Sequence, residues 1–271
     1  MPASMIDGIA AEAFDLLGTG RQISPFSSRY QDFSLADGYR VTPALRRLRE
    51  GRGEHAIGRK IGLTNRTIWA QYQVFAPIWG HMYDKTVFDL GALAGGFSLD
   101  GLSEPRIEPE IAFHFADAPE PGMTEAELFQ CVDWVAHGFE IVQSIFPGWK
   151  FAAADTVAAY GLHGAYLIGR KYPVRQAPAL WRQALADFDI ELYRNGALAA
   201  RGHATDVLDG PLPALKHLND LLALDAGNPP LAAGEIVTTG TLTVALPTQA
   251  GDNWSTQLTG IDIAGISVTM T

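Results

Sequence analysis

The chain has 271 residues, of which 47% are hydrophobic, 10% aromatic and 18% charged. That composition supports a buried core and excludes a disordered chain, which would hold far fewer apolar residues. Twenty Lys+Arg against thirty Asp+Glu leave a net charge of −10; this repels phosphate backbones, and no basic stripe overrides it, so nucleic acid is not an expected partner.

The single cysteine, Cys131, has no second thiol for a disulfide or a CxxC site, which fits a reducing compartment. Residues 1–17 carry Asp7, Glu12 and Asp15 where a secretory signal needs a positive start and an apolar run. No apolar stretch is long enough to cross a membrane. A cytoplasmic protein with no membrane association is the expectation.

Residues 5–18 space Ile9, Ala10, Ala13, Phe14 and Leu17 at helical intervals, and Gly18-Thr19-Gly20 stops the pattern. A second helix is expected near 42–50. From His55 the pattern turns to strand and loop, which divides the chain into an N-terminal helical segment, 1–54, and a β-rich domain, 55–271. Within that domain a short strand over 56–64 carries Lys60 toward a glycine turn.

Residues 106–115 alternate: Ile107, Pro109, Ile111, Phe113 and Phe115 share one face, Glu108, Glu110, Ala112 and His114 the other. Thr124-Glu125-Ala126-Glu127 reads as a capping box opening a helix that runs to about His137, with Gly138 ending it. A strand over 139–146 follows, then a short Ala-rich helix over 151–160. Strands are expected at 164–169 and 185–193, and Asn195-Gly196 reads as a hairpin turn. A helix over 214–224 interrupts further strands at 235–237 and 255–269. Long strands with few, separated helices argue an α+β fold with a mixed, mostly antiparallel sheet.

Glu108 and Glu110 stand two apart on their strand, so both carboxylates leave the same face with Cα atoms about 7 Å apart, twice the rise per residue. Two like charges held so close call for a cation, unless they are ordinary surface glutamates on the solvated face of a half-exposed strand. Glu140 opens the strand after the next helix and brings a third acid to the same unit. Hard oxygen ligands without a nearby Cys or His pair favour Mg²⁺ or Mn²⁺ over Zn²⁺.

Around these residues the chain resembles the fumarylacetoacetate hydrolase superfamily, and within it the 2-hydroxypenta-2,4-dienoate hydratase and 4-oxalocrotonate decarboxylase group. The likeness runs through Gly58-Arg59-Lys60-Ile61-Gly62-Leu63-Thr64, Arg106-Ile107-Glu108-Pro109-Glu110-Ile111-Ala112-Phe113 and Phe139-Glu140-Ile141-Val142. It continues in Trp149-Lys150, Asp155-Thr156-Val157-Ala158, residues 234–242, Ala250-Gly251-Asp252 and Gly265-Ile266-Ser267-Val268. Residues 5–271 are covered in the family's order and spacing.

The resemblance implies a rolled sheet, a divalent metal at Glu108, Glu110 and Glu140, and substrates that are 2-oxo or 2-hydroxydienoic acids. Such an acid chelates a metal through a carboxylate oxygen and the oxo oxygen, and the metal stabilises charge that builds there. Lys60 matches the family's catalytic lysine, and a nearby cation with partial desolvation would lower its pKa for proton transfer. Lys150 and Asp155 match family positions that fix the third ligand or the substrate carboxylate, and Thr241 falls with the substrate-binding residues. The resemblance further implies a homo-oligomer and a complex with a related decarboxylase.

Departures bear on the substrate. Where the family's hydratases read Pro-Asp-Phe-Gly, this chain has Pro77-Ile78-Trp79-Gly80; Val-Asp-Ser becomes Val142-Gln143-Ser144, and the polar segment after Asp-Thr-Val-Ala becomes Ala159-Tyr160-Gly161-Leu162. A more apolar pocket and a bulkier substrate are expected, with Tyr72, Ile78 and Trp79 facing it. Trp69, Trp79 and Tyr83 form an aromatic loop that would close over substrate or serve as an oligomer contact. His163, just beyond the altered segment, is a candidate acid–base group beside its alternative as a structural histidine, and Cys131 reads as a core residue.

The leading expectation is a metal-dependent hydratase of 2-hydroxydienoates in the catabolism of aromatic or other ring compounds. A 4-oxalocrotonate-type decarboxylase would need a further cation for its second carboxylate, for which Arg59, Arg66 and Lys150 are candidates. An acylpyruvate C–C hydrolase would need a His–acid pair, with His163 as candidate. A non-catalytic assembly subunit is the alternative from another class, and the retained glutamates and Lys60 argue against it.

Overall fold

The structure, a computed structural model, describes residues 1–66, 69–72 and 76–271. The first three helices are α1 (Ala3–Leu16), α2 (Phe26–Arg29) and α3 (Leu35–Gly51). Then come β1 (Ala56–Gly62), α4 (Trp69–Tyr72), β2 (Ile78–Tyr83), β3 (Val87–Asp89), β4 (Arg106–Phe115), α5 (Glu125–Gln130) and β5 (Val132–Val142). The chain continues with α6 (Ala153–Ala158), β6 (His163–Pro173), α7 (Pro178–Ala186), β7 (Asp189–Arg194), β8 (Ala197–His203) and α8 (Pro211–Ala223). It closes with β9 (Ile236–Thr238), β10 (Leu246–Pro247), β11 (Asn253–Thr259) and β12 (Ser267–Thr269).

The larger sheet runs β2-β1-β9-β4-β5-β6-β3 with β10 beside β4, and a second sheet runs β12-β11-β7-β8. Among the described strands, the pairs β1/β9 and β3/β6 are parallel and the others antiparallel. The fold is therefore α+β with a mixed, mostly antiparallel curled sheet. Among the described residues no helix is long and apolar enough to cross a membrane.

The period-two pattern of β4 decides which face is which. Ile107, Ile111, Phe113 and Phe115 are fully buried; Ile111 and Phe113 pack with Leu128, Leu215 and Leu218 under α5 and α8, while Ile107 joins Phe139, Leu192 and Trp254 between the two sheets. Burying such side chains contributes roughly 1.5–3 kcal/mol each, which pins the register and sends Glu108 and Glu110 to the opposite face. The N-terminal helices share a cluster with residues beyond β5, in which Ile9, Ala13, Phe26 and Val41 meet Phe146, Ala158 and Tyr160.

Several local expectations change. The capping box at Thr124 and Glu127 is present, but the helix it opens ends at Gln130, and the stretch expected as its second half belongs to β5. Val132, Trp134 and Val135 are β-branched or aromatic, and Val135 and Ala136 pair in register with Phe113 and Ala112, so sheet pairing overrides helical spacing. The span 185–193 holds the end of α7 before β7 begins. Helix α3 starts at Leu35, earlier than expected, because Ser34 and Asp37 form a reciprocal capping box. Trp79 and Tyr83 lie on β2, buried, and not in a loop.

Candidate metal centre and pocket

Register builds the acidic centre. Glu108 on β4 pairs with Glu140 on β5, and Glu110 pairs with Gly138. Three carboxylate oxygens, one from each of Glu108, Glu110 and Glu140, lie within 4.8 Å of one another. Gly138 is needed at its position: a Cβ there would sit 2.5 Å from the phenol of Tyr166, whose ring crosses toward Glu110 from β6.

Pro109, between the two glutamates, shapes the mouth of the site. Its carbonyl accepts from the Leu242 N–H at 2.9 Å, and on that edge it has no N–H to return. β9 stops at Thr238, and the chain leaves the sheet before rejoining β4 as β10. Gly240 makes the turn at φ +93° with its N–H donating to Glu110 Oε2 at 3.1 Å; a Cβ there would strike Thr64 Oγ1. The detour carries Thr241, Thr243 and Val244 to the rim of a cavity of about 310 Å³.

Lys60 and Glu108 line this cavity, while Glu110 and Glu140 stand behind them with no exposed surface. Lys60 Nζ lies 3.1 Å from Glu140 Oε2. The other Glu140 oxygen accepts from His163 Nδ1–H at 2.8 Å, and His163 Nε2 accepts from the Thr86 hydroxyl at 2.9 Å. That tautomer follows from two causes. Burial lowers the His163 pKa and keeps the ring neutral, and an ionised carboxylate only accepts.

The electrostatics of the protein groups alone are those of too many anions. Burial, with Glu140 and Glu108 adding to it, pushes Glu110 well above the usual carboxylate range. Burial also raises Glu108 to about 7, against the pull of Lys60. Burial opposes ionisation of Glu140 too, but Lys60 and His163 outweigh it and hold its pKa low. For Lys60, burial acts downward and the three glutamates overcome it, so its pKa is raised. The expected depression of the lysine is thus reversed in this state, because anions surround the ammonium.

Glu110 Oε1 and the Tyr166 hydroxyl are buried without a hydrogen-bond partner, and Glu140 Oε2 meets only the Lys60 ammonium among the described residues. Three converging carboxylates, with Glu110 Oε1 buried and unpaired, fit a hard divalent cation. The donor set is all oxygen, which suits Mg²⁺, Ca²⁺ or Mn²⁺.

Other expected residues divide. Ile78 and Thr241 line the cavity, whereas Trp79 does not: one residue along β2 it points to the far face and stacks on Tyr39 with ring centroids 5.6 Å apart. The Tyr72 side chain lies outside the described residues. Lys150 is exposed and off the cavity. Asp155 is buried and spent on structure, accepting from Ser27 N–H and Oγ–H and from Ala152 N–H at 2.6–2.8 Å, which ties the N-terminal segment to α6. His163 is likewise off the cavity lining, behind Glu140, where it positions the carboxylate.

Sequence reasoning passed over Arg106, Trp149 and Thr156, all on the cavity wall. The proposed cations Arg59 and Arg66 are engaged elsewhere, with Glu235 at 2.8 Å and Asp209 at 2.7 Å. A larger groove of about 580 Å³ lies between the N-terminal helices and the end of α8, lined by Tyr39, Trp79 and Leu224. The carboxylate cluster is not there, so the smaller cavity is the site.

Comparison with known proteins agrees with this geometry. Residues 97–268 match the model of the fumarylacetoacetate (FAA) hydrolase C-terminal family. The chain is 32% identical over 257 residues to 2-hydroxyhexa-2,4-dienoate hydratase of Comamonas testosteroni, covering 94% of each chain. It is 30% identical over 268 residues to 2-keto-4-pentenoate hydratase 1 of Dechloromonas aromatica (strain RCB), covering 96% of each. Its fold superposes with a TM-score of 0.88 on 4-oxalocrotonate decarboxylase from Pseudomonas putida G7, complexed with magnesium and adipate, at 24% identity, over 100% of this chain and 99% of that one. With its three-glutamate centre at the mouth of a curled sheet, the chain belongs to the fumarylacetoacetate hydrolase family.

Proposed function

We propose that the protein is a divalent-metal-dependent hydro-lyase that adds water to a 2-hydroxydienoic acid, with Mg²⁺ or Mn²⁺ held by Glu108, Glu110 and Glu140. One observation carries the reading: the only lysine on the cavity wall among the described residues, Lys60, is tied to a carboxylate of the acidic centre. A metal site and a proton-transfer group therefore share one small cavity. The hydratase names of the 32% and 30% identical relatives support the same reading.

When bound, the cation supplies Lewis acidity toward the carboxylate and oxo oxygens of the substrate. Hydration of a 2-hydroxydienoate takes the proton from the 2-hydroxyl, places one on the far carbon of the diene, then adds hydroxyl at C4 and a proton at C3. Lys60 gives and takes these protons from the cavity wall, and Glu140 holds its Nζ in place. His163, itself held by Thr86, fixes the rotamer of Glu140. Ile78, Val142 and Leu162 keep the cavity apolar, which strengthens the electrostatic contacts inside it.

The test is a spectrophotometric assay of dienoate disappearance with 2-hydroxypenta-2,4-dienoate and 2-hydroxyhexa-2,4-dienoate, before and after chelation and on return of Mg²⁺ or Mn²⁺. Metal-dependent formation of the 4-hydroxy-2-oxo acid is expected. Dienoate loss that is indifferent to chelation, or release of CO₂ in place of hydration, overturns the reading.

A further inference from the structure

Arg106 opens β4 two residues before Glu108, and its side chain reaches the same cavity. Its guanidinium lies 4.1 Å from the ring centroid of Trp149. That shelf is itself fixed: the indole N–H of Trp149 donates to the Glu104 carbonyl at 3.0 Å, and the Glu104 carboxylate accepts from the Gly148 N–H at 2.9 Å and from Gln22 at 3.0 Å. Arg106 Nε is buried with no acceptor. Among the described residues the guanidinium has no ion pair, and none of the undescribed residues 67, 68 and 73–75 is charged.

Glu108 is near enough for the two charges to be felt but makes no ion-pair contact with the guanidinium, and a half-buried cation without a hydrogen-bonded counter-ion is costly. A guanidinium presents a planar fork that a carboxylate fills with two parallel hydrogen bonds. Charge counting then limits the ligand. Three ionised glutamates, Lys60, Arg106 and a divalent cation sum to one positive charge, so one carboxylate brings the site to neutrality and a second leaves it negative. The rest of the wall is largely apolar, with Leu63, Ile78, Val142, Phe151, Leu162 and Val244.

We infer that Arg106, presented by the Trp149 shelf, is the carboxylate-binding residue of this cavity and that the cavity takes 2-oxo or 2-hydroxydienoic monocarboxylates with an apolar tail in preference to diacids. The inference rests on the metal-centre reading above and names the substrate class within it. Arg106 thus takes the place of the cations considered from sequence, and its charge is used on the carboxylate that every such substrate carries.

Calorimetric titration with non-reacting 2-oxo acids tests this, using 2-oxohexanoate and 2-oxoadipate, which have six carbons each and differ in the distal carboxylate. Mn²⁺ is first titrated alone into wild type, Arg106→Met and Arg106→Lys, and the acids are then added to the Mn²⁺-loaded proteins. Wild type is expected to bind 2-oxohexanoate at least about tenfold more tightly than 2-oxoadipate. Arg106→Met should lose about 10–100-fold in 2-oxohexanoate affinity, the range for hydrogen bonds to charged groups. Arg106→Lys should recover part of it, with Mn²⁺ affinity within about threefold of wild type throughout. Preference of the wild type for 2-oxoadipate, or unchanged 2-oxohexanoate binding in both variants, overturns the inference. Failure of wild type to bind Mn²⁺ at all instead removes the metal reading beneath it. If Arg106→Met does not fold, the wild-type selectivity and the Arg106→Lys variant decide.

Discussion

Glu108 and Glu140 face each other directly across the antiparallel register of β4 and β5, a half-buried and a buried carboxylate at a position where sheets normally place complementary pairs. Glu110 adds a third carboxylate one pleat along, and among the described residues Lys60 is the cation in ion-pair contact with the group. The fold carries this arrangement at a cost, because burial and mutual repulsion oppose ionisation of Glu110 and Glu108. A group kept in the protein at a cost to stability is a functional feature.

Glu110→Gln separates the two sides of that bargain. The amide keeps size but neither ligates nor repels as a carboxylate does. Mn²⁺ affinity by calorimetry should fall by more than about a hundredfold, beyond what an outer-shell partner is worth. The metal-free melting temperature at pH 8 should rise by about 2–4 °C, corresponding to relief of roughly 1 kcal/mol. Unchanged Mn²⁺ affinity would remove Glu110 from the metal centre.

Lys60→Met should lower turnover by about 10²–10⁴-fold, the usual contribution of a positioned acid–base group. Because the ammonium repels a cation bound to the same carboxylates, Mn²⁺ affinity should hold or tighten. A purely structural lysine would behave differently, with melting temperature and metal affinity falling together. Turnover within about threefold of wild type would return the proton-transfer role to another group.

Much of this centre is legible in the chain itself, for reasons that are local. The alternation over Arg106–Phe115 needs no tertiary information, because a strand's period of two sends both glutamates to one face. Glu140 came from the expectation that the next strand returns beside the first, and the cross-strand register bears that out: the residue opposite Glu108 lies on β5. Arg106 was not legible. A basic residue at the start of a strand looks like a surface charge until Trp149, 43 positions later, is folded onto it. Trp79 stood in a segment that departs from the family and Asp155 inside a family motif, yet one faces the far side of β2 and the other is used up by Ser27 and Ala152.

The resemblance to the hydratases implies an acid at the position of Ile78. A Cβ placed at Gly62 would lie 3.3 Å from both Ile78 Cγ1 and Lys60 Nζ, so the two side chains border the same spot on the wall. Ile78→Asp would put a carboxylate beside the lysine and remove apolar surface from the cavity. The ratio of kcat/KM for the six-carbon over the five-carbon dienoate should fall by about tenfold, the low end of what a methylene is worth in an apolar pocket. An unchanged ratio would mean that Ile78 does not meet the substrate tail.

His137 offers a prediction about stability and pH. It lies on the face of β5 away from the acids, fully buried, with Nδ1–H donating to the Glu110 carbonyl at 3.0 Å and Nε2 accepting from the Thr256 hydroxyl at 2.9 Å. The carbonyl accepts only, so Nδ1 carries the proton. Thr256 Oγ1 already accepts from the Ile266 N–H, which leaves its own proton for Nε2. A second proton on the ring has no acceptor prepared for it, and burial lowers the His137 pKa from 6.5 to about 4. The unfolded chain takes up that proton as pH falls through 6.5, and the folded protein does not until about pH 4. The contribution is therefore present in full above pH 6.5 and is lost on acidification across that window, to a total of about 3 kcal/mol. His163 and His81, also buried with lowered pKa values, act in the same direction and are common to wild type and variant. Urea unfolding of wild type and His137→Gln at pH 7 and pH 4.5 isolates the site. The wild type should lose about 2 kcal/mol more than the variant between those pH values, whatever the variant's stability at pH 7. Equal losses would show that His137 is protonated in the folded protein as readily as in the unfolded chain, and that its hydrogen bonds between the two sheets do not depend on the neutral ring.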